Sequence, residues 1–94
     1  MKQLEEIREM AKEGRKPEAI ALLEQLLEAE QEGLARETLL LELGILYNGI
    51  ADFPRALNAF NAVSRINPDN TAARTYIAMI TSILNYYNKD LLNP

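Results

Sequence analysis

The spacing of apolar residues constrains this chain more than any other feature of its sequence. Between Pro17 and about Glu30, apolar residues recur at three- and four-residue steps, as on one face of an amphipathic helix. They are Ala19, Ile20, Leu22, Leu23, Leu26 and Leu27. Apolar and polar residues nowhere alternate for long enough to predict a strand. The spacing therefore predicts an all-helical chain.

Glycines and prolines divide this pattern into segments. Gly14 is placed to end one helix in the left-handed conformation, and Pro17 to lie in the first turn of the next. Gly33, Asn48-Gly49 and Pro68 interrupt the pattern again. Five helices follow, over about 3–13, 17–30, 35–47, 53–66 and 71–88.

Two of these helices have candidate N-caps. Asp52 precedes the fourth helix, where its carboxylate can accept backbone N–H groups that have no helical partner, and Pro54 is tolerated in the first turn. Either Asn70 or Thr71 can cap the fifth helix in the same way.

Side chains suited to catalysis are scarce. The 94 residues include no histidine and no cysteine, which removes the commonest general base, the commonest zinc ligands and the thiol nucleophile. Glycines stand singly and form no phosphate-binding loop. Glu5 and Glu9 are spaced to share a cation, but acids at this spacing are more typical of a solvent-facing helix. We therefore expect no enzyme, metal site or cofactor.

The charge distribution also excludes classes of partner. The chain has a net charge of −4 and no basic cluster, so nucleic-acid binding is not expected, and RNA binding by helical repeats is disfavoured. The longest uncharged run, 75–88, is shorter than the roughly 20 apolar residues that span a bilayer. The absence of cysteine and the charged N-terminal sequence argue against a secretory signal, so a cytoplasmic location is expected.

The stretch from Glu37 to Asn70 resembles the tetratricopeptide repeat (TPR), a helix–turn–helix unit of roughly 34 residues. The residues that carry the resemblance are Leu40, where the family often has tryptophan, and Leu43, Gly44, Tyr47, Ala56, Phe60 and Pro68. Two helices that pack closely need small residues at their crossing, so Gly44 and Ala56 are expected to meet there.

Weaker likeness extends to both ends of the chain. Upstream, Gly14, Pro17, Ala19, Leu23 and Leu26 align with Ile50, Pro54, Ala56, Phe60 and Val63 if about three residues are inserted near 31–34. The resemblance implies a single TPR-type α-solenoid of about two repeats and a closing helix. Its parts are a degenerate repeat 1 over about 1–33, repeat 2 over about 37–70, a capping helix over about 71–88 and a tail over 89–94.

Members of this family commonly act as scaffolds that bind a peptide or protein in a concave groove lined by the first helix of each repeat. Carried over by position, the groove here includes Leu4, Arg8, Lys12, Thr38, Leu41, Ile45, Asn48, Thr75, Met79 and Ser82. Leu41 and Ile45 could equally belong to the core. Some members grip a C-terminal carboxylate, but the corresponding positions hold Leu4, Arg8, Glu42, Ala72 and Tyr76, so that ligand is not expected.

The fifth helix carries apolar residues all around its circumference. Packing on one neighbour cannot cover them all, so either the tail, with Leu91 and Leu92, folds back over the helix, or a partner covers it. A second copy of the chain is one such partner. The alternative function is therefore a homodimerisation module built on the closing helix.

Overall fold

The computed structural model describes residues 2–29 and 34–92 of the chain. Within them the chain forms five helices and no strand, which confirms the all-helical prediction. The helices are α1 (Lys2–Lys12), α2 (Lys16–Ala29), α3 (Leu34–Gly49), α4 (Phe53–Ile66) and α5 (Thr71–Leu92). Predicted ends lie within two residues of these, apart from the C-terminal end of α5. The predicted break at Gly33 lies outside the described residues.

The turn between α1 and α2 has the predicted geometry. Gly14 adopts a φ of 85°, in the left-handed region that glycine enters without steric cost. Its N–H donates to the carbonyl of Ala11 at 3.2 Å, and the Arg15 N–H donates to that of Met10 at 3.0 Å. These two bonds form a Schellman motif, which satisfies carbonyls that the end of α1 leaves without partners.

The turn between α3 and α4 repeats this geometry without a glycine at its centre. Ala51 has a φ of 61°, and the Asp52 N–H donates to the carbonyl of Tyr47 at 2.9 Å. The third helix ends at Gly49, so the predicted break at Asn48-Gly49 is confirmed, two residues beyond the predicted last helical residue. When the two turns are compared, Gly14 therefore corresponds to Ala51 and not to Ile50. Gly14 and Ala51 are separated by the same number of residues as Pro17 and Pro54.

Both predicted N-caps are present. The side chain of Asp52 accepts a hydrogen bond from the backbone N–H of Arg55 at 3.3 Å. The Oδ1 of Asn70 accepts one from the backbone N–H of Ala73 at 3.0 Å, so Asn70 caps α5. Each carboxylate or amide oxygen thus satisfies one donor in the first turn of its helix.

Phe60 lies at the centre of the core. Its side chain is 0% exposed, and its ring stacks on that of Tyr76 with 4.6 Å between the ring centroids. A Cβ added at Gly44 would lie 2.7–2.9 Å from three atoms of the same ring. The nearest side chain to Gly44 is therefore that of Phe60. Glycine allows α3 to come this close to α4.

Alternate helices also contact one another. Each helix packs on its chain neighbours, and the Arg8 Nε of α1 donates to Glu42 of α3 at 3.0 Å. Glu37 at the start of α3 accepts from Asn70, the cap of α5. The first turns of α3 and α5 are therefore neighbours, and a side chain of α1 reaches α3. The molecule is elongated, with extents of 49 × 30 × 20 Å.

A polar contact joins the two helical hairpins. The Tyr47 hydroxyl of α3 donates to the carboxylate of Glu24 in α2. Burial, together with this hydrogen bond, raises the pKa of Tyr47 to about 12. The shift widens the pH range over which the phenol keeps its proton and remains a donor.

The last helix is longer than predicted. It continues to Leu92, so residues 89–92 of the predicted tail are helical and do not fold back over α5. Residues 93 and 94 lie outside the described residues. Across 2–29 and 34–92, no helix has both the length and the apolar character needed to cross a membrane.

Candidate partner-binding face

The predicted groove residues of α3 and α5 form what we call the partner face. They lie at three- and four-residue steps and so share one side of each helix. The set is Thr38, Leu41, Ile45 and Asn48 on α3, with Thr75, Met79 and Ser82 on α5. None of them is charged. Because the first turns of α3 and α5 are neighbours, the N-terminal ends of the two uncharged faces lie in the same region of the molecule.

The two helices differ in how much of this face they expose. Leu41 and Ile45 are half-buried and pack against the core, and part of each side chain stays accessible. Asn48 is also half-buried, and its Oδ1 is buried without a hydrogen-bond partner in the described structure. On α5, Thr75 and Ser82 are exposed and Met79 is 42% exposed. The members of the partner face on α5 are therefore more accessible than those on α3.

The α1 members of the predicted groove do not extend this uncharged face. Leu4 is only 5% exposed, so its prediction as a partner-binding residue is wrong. Its side chain lies one turn from Ile7, and together they form the buried stripe of α1. Arg8 and Lys12 are exposed, and they pair with Glu42 and Glu9 respectively. The α1 side is a charged edge beside the uncharged face.

One carboxylate is held at the end of the partner face. Glu37 is 9% exposed, and its Oε2 accepts hydrogen bonds from the Asn70 amide at 2.7 Å and the Asn67 amide at 3.0 Å. The bond from Asn70, followed by that from Asn67, lowers the pKa of Glu37, because both stabilise its ionised form. The carboxylate thus ties α3 to the turn between α4 and α5.

Acid should weaken this link. A carboxyl with a lowered folded-state pKa stabilises the fold above its unfolded pKa of about 4.3, and this stabilisation is lost as pH falls through the folded value. We therefore expect Glu37→Gln to lower the melting temperature at pH 7 and to reduce its decline below pH 4. The exposed Glu6→Gln is the control. Parallel acid-induced declines in Glu37→Gln and the unaltered chain, measured by circular dichroism, would contradict this role.

A groove lies beside the second half of α5. Its volume is about 510 Å³, and it is lined by Phe53, Ser82, Ile83, Tyr86 and Tyr87. Tyr86 and Tyr87 are 66% and 62% exposed, and their rings meet edge to face. We call it the α5 groove. The sequence indicated the uncovered tyrosines but gave no signal for Phe53, which only the packing of α4 against α5 brings there.

Comparison with known proteins gives a structural relationship. No protein-family model matches the chain, and no curated protein sequence does. The chain is similar to protein BF1650 of Bacteroides fragilis, known from a solution NMR structure, with a TM-score of 0.79 and 32% identity. The match covers 99% of this chain and 91% of that one. The chain therefore belongs to the same protein family as Bacteroides fragilis BF1650.

Proposed function

We propose that the chain is a TPR-type scaffold that binds a segment of another polypeptide across α3 and α5. The TPR assignment is supported by two turns of the same backbone geometry, at Gly14 and Ala51. It is also supported by the close approach of Gly44 to Phe60. Both are features that a repeated helical hairpin requires, since each unit must turn back tightly and pack closely on itself.

The exposed, uncharged partner face is the observation that carries the binding proposal. A helix surface that faces only water usually carries charges, whereas the core of an interface is depleted of them. Here Thr75, Met79 and Ser82 are exposed on α5, and the half-buried Leu41 and Ile45 lie on the neighbouring helix α3. A ligand lying across both helices would remove this apolar surface from water.

The surroundings of the face define the chemistry of the partner. Apolar side chains in the middle of the bound segment would contact Leu41, Ile45 and Met79. At the α1 edge, the ion pair between Arg8 and Glu42 is partly exposed, and such surface pairs contribute about 0–1 kcal/mol. A charged group of the partner can therefore exchange with it at small cost. An amphipathic helix or an extended peptide with an apolar centre fits these requirements.

Peptide selection against the immobilised chain tests this proposal. Peptides that bind the unaltered chain should lose about tenfold or more in affinity for Thr75→Lys, because the new ammonium would be buried against apolar groups without a partner. Thr75 is exposed, so the variant should fold normally. Ala21→Lys, at an exposed position of α2, should bind as the unaltered chain does. Equal affinities for both variants would show that the ligand lies elsewhere.

A further inference from the structure

The α5 groove lies beyond the middle of the partner face and has no covering element in the described structure. The predicted alternative, a tail folded back over α5, does not apply to residues 89–92, because they continue the helix. Phe53, Ile83, Tyr86 and Tyr87 leave an apolar concavity of about 510 Å³ next to two largely exposed rings. Exposed apolar patches of this kind mark interaction sites.

We propose that a second copy of the chain occupies this groove, through antiparallel pairing of the two α5 helices about a two-fold axis near Ser82. The exposed residues Met79, Ser82 and Tyr86 follow one another at three- and four-residue steps, so they form a straight seam. Antiparallel pairing centred just after Ser82 places Met79 of each copy opposite Tyr86 of the other. Thioether sulfur packs favourably against aromatic rings, and the small Ser82 lets the helices approach.

Charge favours a second copy at this surface. Between Thr71 and Tyr87, α5 carries one charged residue, Arg74. In the antiparallel pair the two Arg74 side chains lie at opposite ends, roughly 25 Å apart along the helices at 1.5 Å per residue. That separation exceeds the Debye length of about 8–10 Å. Residues 1–37 hold ten acidic and six basic side chains, and so carry the whole net charge of −4, whereas residues 38–94 are neutral.

The available surface predicts a dimer of modest affinity. Buried aromatic side chains contribute about 150–250 Å² each, so four tyrosines exposed by 66% and 62% supply about 400–600 Å². The remainder of the roughly 1,200 Å² typical of a stable interface has to come from Met79, Ile83, Phe53 and the smaller residues between them. We therefore expect dimerisation that depends on concentration.

Sedimentation equilibrium with charge-pair variants tests the proposal. The unaltered chain should approach twice its monomer mass of 10.6 kDa as its concentration rises to about 1 mM, where even weak complexes are populated. Met79→Lys and Tyr86→Glu should each remain monomeric. Their equimolar mixture should dimerise, because one contact then pairs the introduced ammonium with the introduced carboxylate and the other keeps Met79 and Tyr86. Ala21→Lys should dimerise as the unaltered chain does.

Three results would overturn this inference. They are a monomeric mass for the unaltered chain at every concentration, dimerisation of either single variant alone, and failure of the mixture to recover the dimer. Both substitutions lie at exposed positions, so unchanged helical melting confirms that the variants fold. The inference does not use the proposed partner, but Met79 and Ser82 belong to both surfaces, so a second copy and a bound segment would compete for them. Tyr86→Glu leaves Thr75, Leu41 and Ile45 intact, so loss of self-association is distinguishable from loss of peptide binding.

Discussion

Phe60→Ala should remove a large part of the stability of the fold. Phe60 is fully buried and joins three helices, because it lies in α4, stacks on Tyr76 of α5 and covers Gly44 of α3. Truncating such a side chain costs about 3–5 kcal/mol, whereas a domain of this size is stable by about 5–14 kcal/mol. Urea unfolding followed by circular dichroism should show a much lower midpoint, with little helix remaining at moderate denaturant.

Phe53→Ala is the matched control for this substitution. Phe53 begins α4 and is only partly buried at the rim of the α5 groove. Its truncation removes less buried apolar surface and leaves a smaller cavity, so its midpoint should lie clearly above that of Phe60→Ala. Equal losses for the two variants would mean that Phe60 does not organise the core.

The buried stripes were predictable because they follow directly from helical spacing. Phe60, Leu23 and Leu39 each lie at a position that repeats the apolar pattern, and all are fully buried. The N-caps were equally predictable from the sequence, since Asp52 and Asn70 are residue types whose short side chains reach the first turn of a helix.

Other features depend on contacts that the local sequence does not encode. Ala51 takes the left-handed position although Gly49 is close by, because the hairpin fixes where the chain must turn. The early predicted end of α5 has a different cause, because the sequence between Thr71 and Leu92 contains no glycine or proline and already indicates a longer helix. Alignment with the repeat places Leu4 in a groove, whereas its burial results from tertiary packing.

Gly44→Leu should also be strongly destabilising, for the opposite reason. Even a Cβ at Gly44 lies 2.7–2.9 Å from the Phe60 ring, and the stack on Tyr76 restricts movement of that ring. Overpacking of a core costs about 1–3 kcal/mol and occasionally more, and leucine adds three further carbons beyond the Cβ. We expect a large loss in the free energy of unfolding, measured by urea titration.

A double-mutant cycle identifies the contact responsible. Gly44→Ala should lower the free energy of unfolding of the unaltered chain. In a Phe60→Leu background the ring is absent, and alanine gains about 1 kcal/mol of helix propensity over glycine. There the same substitution should lower the free energy of unfolding much less, or raise it. Gly49→Ala is the control, because its Cβ meets only the flexible end of Lys16, at 3.2 Å from Nζ. Additive effects of Gly44→Ala and Phe60→Leu would exclude direct contact between them.

Central to the proposed function is a polypeptide segment that lies across α3 and α5. Intermolecular nuclear Overhauser effects between a selected peptide and the methyl groups of the isotope-labelled chain test it most directly. We expect contacts to Leu41, Ile45 and Met79 together, since these residues lie on the two neighbouring helices of the partner face. Contacts confined to α2 and α4, with none to these three methyl-bearing residues, would contradict the proposal.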